Sequence, residues 1–166
     1  VMRRFFADRA RFFGDTDFVD VPISGLINKN YAFERRASID PSRVTTSSQV
    51  FAGRPFGMET SETTHYSVVD AAGNVVAVTY TLNGSFGSGV TAAGTGVLLN
   101  NEMDDFTTRL GMPNFFGLLQ SEKNAIEPGK RPLSAMTPTI VTRDDKPILV
   151  LGAAGGPRII SVVLQV

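Results

Sequence analysis

The chain has 166 residues, 42% hydrophobic and 19% charged, with 16 Gly and 9 Pro. This composition supports one globular domain with a core and excludes disordered and fibrous classes. Sixteen basic residues balance sixteen acidic ones, so no net field draws the chain to nucleic acid or anionic lipid. Cys is absent and His65 is the only histidine. Disulfides, thiolate zinc sites, a cysteine nucleophile and a multi-histidine metal centre are thereby excluded together.

The start, Val1-Met2-Arg3-Arg4, has no basic-then-apolar leader. No run approaches the roughly 18 apolar residues that span a bilayer. The apolar run Ile159 to Val166 implies a piece of something longer.

Met2, Phe5, Phe6, Ala10, Phe12 and Phe13 recur at helical spacing among arginines, which predicts an amphipathic helix over 2–13. Gly14-Asp15 ends it, and Asp17 to Gly25 reads as extended and turn-rich. A second helix is expected at about 26–38, with Arg35-Arg36 suited to its C-terminal dipole. Pro41 to Glu62 is rich in Ser, Thr, Gly and Pro and reads as loop or linker. Two β-rich runs, His65–Asp70 and Val75–Tyr80, flank Ala71-Ala72-Gly73-Asn74 and predict a hairpin. A Gly-rich stretch, Asn83 to Gly96, leads to the apolar run Val97-Leu98-Leu99, read as a strand. Thr139–Arg143 and Pro147–Leu151 predict a second hairpin about Asp144-Asp145-Lys146. Gly155-Gly156-Pro157 then opens an apolar helix. The whole reads as α+β with a mainly antiparallel sheet and no internal repeat.

The remaining nucleophiles are Ser, Thr, Lys and carboxylate. A threonine works without histidine when its own α-amine is the base, which requires it to be a chain's first residue. Thr63 follows a loop and opens a strand, so cleavage before it would free that amine. Read alone, Thr63-Thr64 is more simply the ordinary start of a β-strand. Gly152-Ala153-Ala154-Gly155-Gly156-Pro157 offers close backbone approach and free N–H groups at a helix start, fit for an oxyanion or for a plain strand-to-helix turn. Asn100-Asn101-Glu102-Met103-Asp104-Asp105-Phe106 packs short acceptors after a strand, suited to an ammonium or a hard cation, or to a solvated acidic turn. It lacks the alternation of a calcium loop. Lys130-Arg131-Pro132-Leu133-Ser134-Ala135-Met136 offers donors to a carboxylate, or is a surface loop stiffened by proline.

Gly87-Ser88-Gly89-Val90-Thr91-Ala92 fits a loose dinucleotide pattern without the strand and helix it needs. Asn83-Gly84-Ser85 is a glycosylation triplet of the kind frequent by chance. His65, on a β-branched strand, reads as structural.

Thr63-Thr64-His65-Tyr66-Ser67-Val68-Val69-Asp70, Thr79-Tyr80-Thr81-Leu82-Asn83, Leu98-Leu99-Asn100-Asn101-Glu102-Met103-Asp104-Asp105-Phe106, Lys130-Arg131-Pro132-Leu133-Ser134 and Gly155-Gly156-Pro157-Arg158-Ile159-Ile160 occur in order. Together they resemble the γ-glutamyltranspeptidases (glutathione hydrolases) of the N-terminal-nucleophile hydrolase superfamily. The resemblance is strongest from Glu62 to Ile160, and looser through Gly14–Val19 and Gly25–Lys29.

The resemblance implies a precursor that cuts itself between Glu62 and Thr63. Residues 1–62 would be the tail of a large subunit and 63–166 the front of the small, catalytic one, together part of one structural domain. The implied fold is a four-layer αββα sandwich, incomplete in this chain. Thr63 would be the nucleophile, Thr81 its hydrogen-bonding partner, and Gly155 and Gly156 the oxyanion hole. Asn83, Glu102 and Asp105 would hold the α-ammonium of a γ-glutamyl group, and Ser134 its α-carboxylate. The implied donors are γ-glutamyl small molecules such as glutathione, and the acceptors water, amino acids or peptides. The large and small subunits would be each other's partners. Neither cofactor nor metal is implied, and the implied location is periplasmic or secreted.

Two departures stand out. Ala135 stands where many members have a second serine, and no residue matches the large-subunit arginine that pairs with the substrate carboxylate. The competing readings are a β-lactam side-chain acylase of the same superfamily and a non-catalytic β-rich domain in which Thr63 stays internal.

Overall fold

The computed structural model describes residues 1–46, 49–50 and 63–166. Most of the expected linker after Thr46, and Glu62 with it, lies outside the described residues. The chain divides into two compact units. One combines the described part of Val1–Gly57 with Met103–Leu133; the other combines that of Met58–Glu102 with Ser134–Val166.

In the first unit, α1 spans Met2–Phe12 as the apolar spacing predicts, with Arg9 and Arg11 in its last turn. Ser121 N–H donates to the Ala10 carbonyl at 3.0 Å, satisfying an acceptor that a helix end leaves open. Arg4 and Arg9 are buried. Arg4 Nε donates to Ser38 Oγ at 2.6 Å, so its charge is met by hydrogen bonds.

The second predicted helix is found at Lys29–Ala37, and the segment before it is turn-rich as expected but helical, not extended, at Ile23–Leu26. Phe18 and Val19 N–H groups close a turn on the Asp15 carbonyl, both at 2.9 Å. A short α2 follows at Ile23–Leu26, then α3 at Lys29–Ala37. The break falls at Asn28, whose side chain accepts from Asn30 N–H at 2.8 Å and caps α3. An Asn side chain competes with helical carbonyls for backbone donors, and here it starts a new helix instead of continuing an old one.

Residues 103–133 are mostly irregular and are organised by polar side chains. Asn124, in a 3-10 turn at Glu122–Asn124, is fully buried. Its amide donates to the Asp105 carbonyl at 2.7 Å and its Oδ1 accepts from Leu133 N–H at 3.1 Å. Asp15 is buried and takes three hydrogen bonds from Arg131: backbone N–H and Nε at 2.9 Å each, and a guanidinium NH2 at 2.5 Å. Those bonds hold its carboxyl well below the usual carboxylate range, and the same partnership raises Arg131 further.

In the second unit, β1 (Thr63–Val69) pairs antiparallel with β2 (Val75–Thr81). Asp70 builds the turn. Its carboxylate accepts from Ala72 N–H at 2.9 Å, Asn74 N–H at 2.8 Å and the Asn74 amide at 2.7 Å. Gly73 supplies the left-handed residue, φ 85°. The register pairs Thr63 with Thr81, His65 with Thr79 and Ser67 with Ala77.

The second hairpin joins β3 (Thr139–Arg143) to β4 (Lys146–Leu151) through Asp144 and Asp145, at φ 50° and 60°. Two successive left-handed residues make the turn whose twist suits a hairpin. Pro147 pairs with Thr142, but Leu149 pairs with Val141, so the ladder shifts beside a residue that cannot donate. Val97-Leu98-Leu99 is not a strand. It makes one isolated bridge, Thr91 with Leu98, as Ser88 and Leu99 N–H groups close a long loop. α4 (Arg158–Gln165) ends the chain, with Pro157 at its N-cap and Ile159 buried.

His65 does structural work, as its sequence setting predicts. Nδ1 lies 2.8 Å from Thr79 Oγ1 and Nε2 lies 3.2 Å from Ser67 Oγ. Gly152, just after β4, faces the ring so closely that a Cβ there would fall 2.2 Å from Nδ1. Gly152→Ala is therefore expected to destabilise the chain by roughly 1–3 kcal/mol in chemical denaturation, the ordinary cost of overpacking. His65→Ala in the same chain should recover part of that loss, because it removes the atoms that clash.

Candidate functional site

The hairpin register brings Thr63 and Thr81 together. Thr63 Oγ1 donates to Thr81 Oγ1 at 3.4 Å, a long hydrogen bond between partly buried hydroxyls. Thr81 Oγ1 also accepts from Asn83 N–H at 2.9 Å. One hydroxyl thus faces a second that is itself anchored to the backbone two residues on. Asn83 holds a left-handed conformation, φ 75°, and is buried, so its triplet is a poor glycosylation acceptor.

Asn83 is tied to the segment that ends in Glu102. Its amide donates to the Asn101 carbonyl at 3.4 Å, and Asn101 N–H donates to the Leu82 carbonyl at 3.1 Å. Asn101 Oδ1 accepts from Gly84 N–H at 2.9 Å, and Asn100 Oδ1 from Glu102 N–H at 3.0 Å. The two asparagines read in the sequence as ligand acceptors are therefore occupied in bracing the backbone. Gly87 makes the return possible: at φ 56° it lies against Leu99, where a Cβ would meet the carbonyl oxygen at 2.1 Å. The apparent dinucleotide pattern is this turn.

Glu102 opens a 3-10 turn, Glu102–Asp105, and is partly buried. Burial pushes its carboxyl above the usual glutamate range. A desolvated carboxylate of this kind gains more from a bound cation than an exposed one does.

Ser134 Oγ accepts from Met136 N–H at 3.0 Å. Gly155 and Gly156 carry φ 127° and 52° and turn the chain from β4 into α4, where Arg158 and Ile159 N–H groups close on their carbonyls. The Gly152–His65 contact lies two residues along β1 from Thr63, three before Gly155.

Asp105 belongs to the first unit, where its carbonyl accepts from Gln120 at 2.9 Å as well as from Asn124. Its negative charge also acts on the buried Arg9 guanidinium. Asp104 is committed too, accepting from Phe115 N–H at 2.5 Å. Arg131, read in the sequence as near a substrate carboxylate, is instead locked onto Asp15 and Asp17. Lys130 is buried and paired with Glu127 at 2.7 Å. A cleft of about 430 Å³ in the first unit, lined by Arg4, Asp8, Arg11, Tyr31 and Arg35 among others, contains none of the candidate residues.

Asp15, Asn101 and Asn124 were not legible as organisers from the residues alone. The signal available was only that each is a short polar residue beside a glycine or a turn.

Comparison with known proteins supplies what geometry alone does not. The family model described as Gamma-glutamyltranspeptidase matches residues 1–166. The chain is 54% identical over 163 residues to the glutathione hydrolase proenzyme of Pseudomonas sp. (strain A14), covering 98% of this chain and 28% of that protein. It is 52% identical over 160 residues to the glutathione hydrolase proenzyme of Escherichia coli (strain K12), covering 96% and 28%. The chain thus spans little more than a quarter of the length of these relatives. Among solved structures, the γ-glutamyltranspeptidase of Pseudomonas nitroreducens complexed with L-DON is 58% identical, with a TM-score of 0.60 over 61% of this chain and 53% of that one. The α+β architecture is accordingly that of the N-terminal-nucleophile hydrolases. By the match over its whole length, the chain belongs to the γ-glutamyltranspeptidase family.

Proposed function

We propose that this chain carries the nucleophile and much of the glutamyl-binding surface of a γ-glutamyl hydrolase and transpeptidase. The observation that carries the reading is the pairing of Thr63 with Thr81 at the open end of the first hairpin. Cleavage between Glu62 and Thr63 would free the Thr63 amine beside its own hydroxyl. The large subunit would then end at Glu62, and Thr63 would begin the small one. The relatives' description as proenzymes supports such processing.

The chemistry follows from the residue types. Thr63 Oγ1 attacks the γ-carbonyl carbon of the donor while the Thr63 amine accepts the hydroxyl proton. Thr81 orients that hydroxyl. Backbone N–H groups of Gly155 and Gly156 stabilise the oxyanion, where one lost donor costs about 2.7–4 kcal/mol of barrier. The amine leaves with a proton, and the γ-glutamyl ester passes to water or to the amine of an amino acid or peptide. Asn83 and Glu102 receive the α-ammonium and Ser134 the α-carboxylate, with Asp105 the third ammonium acceptor only as the family resemblance implies it. Ala135 withholds a second hydroxyl there. The steps call on no metal or organic cofactor. Glutathione is the donor the relatives' names suggest, and a periplasmic or secreted setting accords with the family resemblance. The exposed apolar faces of the hairpins, with Tyr66, Val68, Val76 and Tyr80 all more than half exposed, would be covered by parts of the enzyme outside this chain.

Intact-mass spectrometry over time tests the nucleophile. Two products split at Glu62–Thr63 are expected, retained in Thr63→Ser and lost in Thr63→Ala; a single uncut mass in the active enzyme would refute the assignment.

The ammonium site separates this reading from the acylase one. A glutaryl anilide keeps the carboxylate and lacks only the α-amine, and a site built for that ammonium should disfavour it on the order of 10⁴-fold in kcat/KM against the γ-glutamyl anilide. Equal turnover would favour the acylase.

The raised Glu102 carboxyl predicts a pH effect with a definite sign. Ammonium binding needs the carboxylate, so KM for the donor should rise as pH falls through a value above the ordinary glutamate range, with kcat changing less. Glu102→Gln should raise KM at neutral pH and abolish that acid limb.

A further inference from the structure

The first unit is built from residues on both sides of the proposed cut. Once the Glu62–Thr63 bond opens, the contacts between its upstream part and Met103–Leu133 pass from one chain to two and must supply affinity where the covalent link supplied it before. Among the described residues, the buried apolar side chains of this unit are Val50, Phe106 and Phe116. With so few fully buried apolar side chains, polar contacts weigh more in holding the pieces together.

The polar contacts are specific, with a buried carboxylate met by a guanidinium whose outer side faces solvent. Asp15 is buried, and both of its oxygens are engaged by Arg131 through backbone N–H, Nε and NH2. A guanidinium fork on a carboxylate is the strongest geometry available to an ion pair. Asp17 adds a second carboxylate to the same guanidinium. Next to this pair, the Gly14 backbone lies against Lys123, where a Cβ would meet the carbonyl oxygen at 2.6 Å, and Lys123 Nζ donates to the Asp20 carbonyl. Glycine at position 14 is what lets the two segments approach closely enough for the fork to close.

We propose that the Asp15–Arg131 pair is the clamp that holds the upstream segment to the 103–133 loop after processing. The proposal rests on the cut at Glu62–Thr63, and it adds a residue-level reason why the pieces stay together. Removing the guanidinium fork within the complex would leave the buried Asp15 carboxylate short of donors, which costs more than the pair's own net contribution.

The test places a recognition sequence for a specific protease just upstream of Thr63, so that cutting does not depend on self-processing. The cut chain is then followed by size-exclusion chromatography and native mass spectrometry. The wild-type pieces are expected to stay as one complex. Asp15→Asn keeps shape and removes charge, and Arg131→Lys keeps charge and removes the fork. Each should raise the dissociation constant of the pieces roughly thirtyfold or more. Pieces that separate in the wild type, or hold equally tightly in both variants, would overturn the clamp. A chain that never cuts itself but whose protease-cut pieces are held by this pair would instead refute the proposed function alone.

Discussion

The antiparallel pairing of Thr63 with Thr81 is the constraint on which the rest of the site depends. Side chains alternate between the faces of a strand, so a slip of one residue would turn Thr63 away from Thr81 and His65 away from Thr79. The register is set at the far end of the hairpin. Asp70 gathers three donors from Ala72 and Asn74, and Gly73 takes the left-handed conformation that closes the turn. A carboxylate in the turn therefore determines which hydroxyl meets which at the open end. The line continues past β2: Asn83 N–H anchors Thr81 Oγ1, and the buried Asn83 amide reaches the Asn101 carbonyl one residue before Glu102.

Both units lean on polar side chains where a larger domain would use apolar area. Asp15 organises Arg131, Asn124 gathers Leu133 and Asp105, and Arg4 gathers Ser38. Such contacts define geometry more sharply than apolar packing does, and losing one partner of a buried pair costs more than the pair's own net contribution. The same strategy appears at His65, whose ring nitrogens are placed by Thr79 and Ser67 and whose face leaves room only for glycine at 152.

Much of this was legible in the residues. The helix at Met2–Phe12, both hairpins and the helix after Pro157 follow from apolar spacing and turn chemistry, and the structural role of His65 from its strand. The ordered motifs from Thr63 to Ile160 led to the family that the whole-length match establishes. What escaped were places where one side chain overrides a local pattern. Ile23–Leu26 turns helical within a stretch read as extended, Asn28 sets where the next helix starts by capping it, and Val97-Leu98-Leu99 fails as a strand because its partners lie in a loop that Gly87 folds back. Arg131 looked available to a substrate because nothing nearby in sequence announces Asp15, more than a hundred residues away. Long-range polar partners carry no periodic signal, so pattern reading cannot find them.

The central claim is that the Thr63 hydroxyl takes the γ-glutamyl group as an ester. Acid quenching during turnover of a γ-glutamyl anilide, followed by peptide mapping with tandem mass spectrometry, tests it most directly. One added γ-glutamyl mass is expected on the peptide that begins at Thr63, localised to that residue and removed by mild base. Steady turnover with the adduct on another residue, or with no covalent adduct under conditions that slow its breakdown, would contradict it.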